Sequence, residues 1–278
     1  MDTVIQGAAR LCMYTFILTN LFGAGLGLTV REIIEPVRNL ASVLKALIVN
    51  FILIPAMAYF LAGLLGADPS LKTGILIIAC CAGEGFLPKL ITIAKGDLAH
   101  AISFMALMMI STVIIVPVVL PVVIPGLAIS PFSIAQHLVI LMLVPLALGL
   151  SINAAKPVIS KAIEPYVLKI SSVSLLAAGI LIVVLDYPLI ISAWGTGVYK
   201  TAALFTLLAV SIGFLLGGPG KKQRTVNGFG SGARNVAAAL LIAGSFSEPR
   251  IMTTVLISGL VMFAVLILSA FIYGRYQR

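Results

Sequence analysis

Cys80-Cys81-Ala82-Gly83-Glu84-Gly85-Phe86-Leu87-Pro88-Lys89 and Asn227-Gly228-Phe229-Gly230-Ser231-Gly232-Ala233-Arg234-Asn235 are the two stretches on which the fold turns. Each interrupts a long apolar segment at mid-length with glycine pairs (Gly83 and Gly85, Gly230 and Gly232) and with charge. What surrounds them is apolar: 61% of the 278 residues are hydrophobic, 10% are charged, and the mean hydropathy is +1.19. A soluble domain carries about a quarter charged residues, so the composition is that of an integral membrane protein. Inside lipid, non-helical backbone and buried charge are tolerated only where protein or a water-filled cavity receives them. Interrupted segments at corresponding positions of two halves point to the binding site of a transporter.

Outward from the two breaks, runs long enough to span a bilayer (about 20 residues each) fit at about nine places. They cover 9–29, 40–65, 71–95 (broken), 98–125, 132–153, 162–186, 197–217, 221–245 (broken) and 249–274. Asp68-Pro69-Ser70 and Ser247-Glu248-Pro249 carry turn and helix-start chemistry, Gly217-Gly218-Pro219-Gly220 ends a helix, and a nearly uncharged loop lies near 126–131. The first run begins with an acidic residue, has no small-residue cleavage site and precedes many further spans, so it reads as a helix and not as a leader. The expected fold is therefore all-α. The two halves (about 40–125 and 197–274) each run helix, broken helix, long helix, and an inverted repeat is expected. Lys and Arg in alternate loops fall ten on one side (Arg31, Arg38, Lys95, Lys156, Lys161, Lys221, Lys222, Arg224, Arg275, Arg278) and four on the other (Arg10, Lys72, Lys200, Arg250). This bias puts the C-terminus in the cytoplasm and the N-terminus outside.

The net charge of +9 is loop charge without interleaved aromatics, so no nucleic-acid partner is expected. Cys12, Cys80 and Cys81 lie in apolar stretches without zinc-ligand spacing, so neither a metal centre nor a disulfide is expected. With His100 and His137 near helix ends and no nucleophile–base–orienter set, an enzyme is not expected either, nor is a cofactor. Asp186 also reads as a helix-end residue, and Tyr187 and Trp194 suit the membrane interface.

The chemistry concentrates at Glu84, Lys89 and Arg234, the ionisable residues that cannot be placed near a helix end or loop. One such residue at the centre of a span costs about 2.5–3.5 kcal/mol, so three unpaired would cost roughly 8–10 kcal/mol. Pairing, hydration or both must compensate. Pro88 suits a first helical turn, which starts the second half-helix near Leu87 and puts Lys89 at its N-terminus, where the helix dipole disfavours a cation. Arg234 is in the same position if the other broken helix resumes near Ala233. Two half-helix N-termini and two cations facing one carboxylate favour an anion. The plainer readings are that Glu84 pairs with Arg234 or Lys89 as a static lock, that Lys89 snorkels to the membrane surface, and that Ser111 and Thr112 satisfy backbone. Asn50, just before Pro55, either lines a cavity or bonds backbone freed by the proline.

These residues carry a resemblance to the bile acid:sodium symporter family. Cys80-Cys81-Ala82-Gly83 through Ala94-Lys95-Gly96-Asp97 resembles that family's broken helix, Cys-Cys-Pro-Gly-Gly-x-x-Ser-Asn closing in Ala-Lys/Arg-Gly-Asp/Asn. Gly230 to Asn235, followed by Val236-Ala237-Ala238-Ala239-Leu240, is similar to the other, Glu-x-Gly-x-Gln-Asn before an alanine-rich half-helix. Asn50 with Pro55 resembles a polar residue and proline of the preceding core helix. The resemblance implies a core domain (about 40–125 and 197–274) rocking against a panel (about 9–29 and 132–186) to carry an organic anion. It also marks departures. Leu87-Pro88 stand where the family's sodium-binding Ser-Asn stands, Gly230 replaces the glutamate shared by two sodium sites, and Arg234 replaces the glutamine. Sodium ligands would be confined to Asn50, Asn235, Ser231 and Glu84, near Asn50 and Asn235 above all.

The function expected is secondary transport of a small organic anion by alternating access, by a monomer in the lipid bilayer of a bacterial-type inner membrane. Lys89 and Arg234 would supply the charge that sodium supplies in relatives, and Glu84 would couple protons or balance charge. The substrate and ion site is expected to comprise Asn50, Glu84, Lys89, Ser231, Arg234 and Asn235, with Gly83, Gly85, Pro88, Gly230 and Gly232 breaking the helices. The alternatives are a sodium-coupled organic-anion symporter and a non-transporting receptor or structural subunit on the same scaffold.

Overall fold

A computed structural model describes residues 2–29, 31–32, 39–124, 130–185 and 187–276. Arg38, Asp186, Arg278 and most of the uncharged loop near 126–131 lie outside them. The described residues form an all-helical membrane protein: α1 (Asp2–Gly27), α2 (Leu40–Leu64), α3 (Pro69–Cys80), α4 (Leu87–Ile93), α5 (Leu98–Val123), α6 (Pro131–Ala155), α7 (Pro157–Leu185), α8 (Tyr187–Ala193), α9 (Val198–Leu216), α10 (Lys221–Gly232), α11 (Val236–Ala243) and α12 (Pro249–Tyr276). Among them, seven are long and apolar enough to cross a membrane: α1, α2, α5, α6, α7, α9 and α12. The two interrupted segments are each built from a pair of shorter helices, α3 with α4 and α10 with α11.

Local chemistry sets the boundaries. Asp68 caps α3 by accepting from the N–H groups of Ser70 and Leu71 at 2.9 and 3.0 Å, with Pro69 in the first turn. Asp97 caps α5 through the N–H of His100 at 3.1 Å, and Asn235 caps α11 through the N–H of Ala238 at 3.0 Å. Two helices widen into a π-turn two residues before a proline: α2 at Val49–Leu53 ahead of Pro55, and α6 at Val139–Leu143 ahead of Pro145. In this register Ile54 donates to the Val49 carbonyl. The next bond would run from residue 55 to the Asn50 carbonyl, but Pro55 has no N–H to give.

Helix α1 packs along α6 and α7. Asn153 Nδ2 donates to the Leu28 carbonyl at 2.7 Å and the Ser160 hydroxyl donates to the Leu26 carbonyl at 2.8 Å, tying the end of α1 to the α6–α7 corner. On the other side, α9 packs on α10, and α12 packs on both α9 and α3. The outward faces of α5, α7 and α12 carry exposed Val118, Ile170, Leu176 and Leu268, side chains suited to lipid.

The breaks do not all fall where the glycines are. Gly83 is at a break, with φ +86° and a position where a Cβ would lie 2.3 Å from the Met109 backbone nitrogen; only glycine fits there. Pro88 opens α4 as expected. Gly230 and Gly232, by contrast, remain helical near the end of α10. They serve close packing: a Cβ on Gly230 would meet Phe104 Cε1 at 2.5 Å, and one on Gly232 would meet Val210 Cγ2 at 2.4 Å. The second interruption lies at Ala233–Asn235, and α11 resumes at Val236, so Arg234 is in the unwound link and not in a first helical turn.

Candidate functional site

The two unwound links cross and pair with each other. Ala82 and Arg234 form an isolated antiparallel bridge, and the Asn235 N–H donates to the Cys81 carbonyl at 2.9 Å. Backbone without helical partners cannot be left bare at membrane depth, and its partners here are specific. Thr112, on α5, accepts from the Ala82 N–H at 3.0 Å and donates its hydroxyl to the Ala82 carbonyl at 2.8 Å. Asn235 Nδ2 donates to the Gly83 carbonyl at 3.1 Å. The Arg234 N–H reaches Met262 Sδ at 3.1 Å. Thr112 thus satisfies backbone across 30 residues of sequence, and Ser111 is buried beside it.

Arg234 is fully enclosed, at 0% exposure. Its guanidinium donates from Nη2 to Asn50 Oδ1 and to the Ser231 carbonyl. Nη1 faces the Ala79 carbonyl at 3.3 Å and the Asn50 carbonyl at 3.5 Å. The Asn50 carbonyl is the one Pro55 leaves without a donor. Asn50 itself is held by its Nδ2 donating to the Ala46 carbonyl at 2.9 Å, which turns Oδ1 toward the cation. Three separate elements thus contribute oxygens to one positive charge: the π-turn of α2, the end of α3 and the end of α10.

Glu84 is buried too, but it does not pair with Arg234. Its Oε2 accepts from the Val236 N–H at 3.1 Å, the first residue of α11. A carboxylate at a helix N-terminus meets the positive end of the dipole and an unpaired donor. The Glu84–Arg234 pair, one of the alternatives open from the sequence, is not formed; there are two separate arrangements instead, a cation in a cage of neutral oxygens and a carboxylate capping a half-helix. A static Glu84–Arg234 lock is absent among the described residues.

Of the remaining expected residues, Asn235 and Ser231 are buried at the crossing. Lys89 is not; it stands exposed on α4. Gly85 lies in the turn before α4, where a Cβ would sit 3.4 Å from Asn20 Nδ2 on α1. Asn20, an amide in the apolar second half of α1, is the signal in the sequence that could have marked this contact. Met262 and the Ala79 carbonyl offered none.

Asn50 and Ser231 also form part of the wall of a cavity of about 480 Å³ between the starts of α2, α5 and α10 and the end of α9. Lys45, His100, Ser103 and Asn227 line it as well. All four helix ends belong to the end of the bundle that carries Lys95, Lys221 and Lys222.

Comparison with known proteins agrees with this architecture. Residues 14–193 match the family model described as the sodium bile acid symporter family. A chloroplast protein of Arabidopsis thaliana, "Probable sodium/metabolite cotransporter BASS5, chloroplastic", is 22% identical over 257 residues, 87% of this chain and 63% of that protein. "Uncharacterized sodium-dependent transporter YocS" of Bacillus subtilis (strain 168) is 29% identical over 138 residues, 48% of this chain and 42% of that protein. The chain spans less than two thirds of the length of these curated relatives.

Proposed function

The chain belongs to the sodium bile acid symporter family, and from that premise we propose that it is a secondary transporter of a small organic anion in which Arg234 supplies the fixed positive charge that sodium supplies in relatives. The observation that carries this reading is the oxygen cage. Carbonyl and amide oxygens converging from separate elements are the donor set a hard cation uses. Here a guanidinium fills that set from Asn50, Ala79 and Ser231. A sodium ion entering the same cage would have to displace a tethered cation.

In this proposal α2–α5 and α9–α12 form the moving core, and α1, α6 and α7 form the panel. The ties from Asn153 and Ser160 to α1 support treating the panel as one body. Glu84, capping α11, is the group placed to couple protons to the cycle, because protonating it would remove the charge that the half-helix N-terminus holds. The Lys/Arg bias orients the C-terminus to the cytoplasm across a plasma membrane.

The names of the relatives favour a second reading, sodium symport, in which Asn50, Asn235 and backbone carbonyls coordinate the ion. Uptake of small carboxylates into proteoliposomes under imposed gradients separates the two. Uptake that persists when sodium is replaced by choline is the expected result. A strict sodium requirement would sink the proposal and leave the second reading.

A further inference from the structure

Arg234 raises a question of charge balance. A buried ion without a counter-charge is costly even when hydrogen-bonded. The described partners of its guanidinium are all neutral oxygens, and Glu84 is turned to Val236. Arg234 is enclosed on every side, so a counter-charge can act on it only through the residues that hold it, from the nearest space a ligand can enter. That space is the cavity, since Asn50 and Ser231, which hold the guanidinium, also line it.

The cavity floor carries an unfilled hydrogen-bonding position. Ser231 is 1% exposed and its hydroxyl has no partner. A buried polar atom left without a partner calls for a missing ligand, water or ion. Gly213 lets α9 pack closely on this side of Ser231: an alanine Cβ there would lie 2.4 Å from the Asn227 carbonyl and 2.6 Å from Ser231 Oγ, so a ligand reaches the hydroxyl from the cavity side. The charges around the cavity decide the sign of the occupant. Lys45 is on its wall, Arg234 lies behind its floor, and among the described residues no carboxylate lines it. Asp97, at the start of α5, is engaged with the N–H of His100. A cation placed there would face two like charges.

We propose that the floor of this cavity is a binding site for a small monovalent anion, held by the Ser231 hydroxyl in the field of Arg234 and reached from the end of the bundle that carries Lys95, Lys221 and Lys222. The ligand chemistry is that of a halide or a carboxylate group, and competition between the two in the test below separates a counter-ion from the head of the carried substrate. The site depends on Arg234 being charged and on the cavity, and it stands whether or not transport proves independent of sodium.

The test uses purified full-length protein in detergent with bromide as the probe, at ionic strength held constant with gluconate. Bromide is expected to raise the melting temperature saturably, and crystals grown in bromide are expected to show an anomalous peak within hydrogen-bond distance of Ser231 Oγ. Ser231→Ala is expected to weaken bromide binding about tenfold, the loss of one hydrogen bond to a charged group. Arg234→Gln is expected to abolish it; should that variant not fold, Ser231→Ala and the anomalous peak carry the test. Displacement of bromide by acetate or a larger carboxylate in simple competition supports the site as the substrate's head-group position. Simultaneous binding of both supports a separate counter-ion site. No saturable stabilisation, no peak at the floor, or full bromide affinity in Ser231→Ala overturns the proposal. A strict sodium requirement for uptake alongside bromide at the floor would retire the proposed coupling and keep the anion site.

Discussion

Arg234 and Thr112 show how single side chains replace helical hydrogen bonds at membrane depth. Thr112 serves both the N–H and the carbonyl of Ala82 with one hydroxyl. Thr112→Val keeps the shape and strands both groups, so a loss of about 2–3 kcal/mol is expected, read as a lowered midpoint in thermal or denaturant unfolding. Thr112→Ser should stay close to the parent, and an unchanged midpoint in the valine variant would show that the bridge is held by other means. Arg234 donates in several directions from a planar fork, which an ammonium cannot copy. Arg234→Lys is therefore expected to lower uptake about tenfold or more, the equivalent of one lost charge-assisted bond, with the charge itself retained. Glu84→Gln leaves an oxygen for the Val236 N–H, so the fold should survive. Uptake in that variant should lose its response to an imposed proton gradient, and a response equal to the parent's would remove Glu84 from the coupling step.

At the scale of elements, the interruption of α2 and the break between α10 and α11 act together. The π-turn at Val49–Leu53 and the missing N–H of Pro55 leave the Asn50 carbonyl facing Arg234 Nη1. Pro55→Ala supplies a competing backbone donor and favours a regular helix. The expected outcome is reduced uptake with a melting temperature that holds or rises; unchanged uptake would mean the carbonyl is dispensable to the cage. The glycines of α10 carry a related constraint. Gly230 stands where the family resemblance places a sodium-binding glutamate, yet Phe104 Cε1 lies 2.5 Å from the position of its Cβ. Phe104 and Gly230 are fitted to each other, so the departure involves packing as well as a change of ligand.

Across the whole molecule, the proposed motion of core against panel passes through the contact between α1 and the first break. Asn20 Nδ2, at the tip of its side chain, lies 3.4 Å from the position of a Gly85 Cβ, so cysteines at both positions should be joined by a short bis-methanethiosulfonate reagent, which bridges thiols that are too far apart for a direct disulfide. Uptake is expected to fall to background in the cross-linked protein and to return with reductant; full uptake with the link in place would rule out relative movement there. The sequence alone determined that the chain is an all-α membrane protein and that two of its helical segments are interrupted. Composition and punctuation are local properties that lipid makes decisive, because every span must close its own hydrogen bonds. It also marked Asn50, Glu84, Ser231, Arg234 and Asn235, since polar groups inside an apolar run stand out wherever the chain leads. Tertiary structure alone decided their partners. Charge counting joins Glu84 to Arg234, but folding brings Val236 to the first and the oxygens of Asn50, Ala79 and Ser231 to the second, and it leaves Lys89 exposed on α4. It also placed the second break after the glycines and not among them. Those outcomes depend on which backbone groups are left open where two links cross, and that is a property of the crossing and not of either segment.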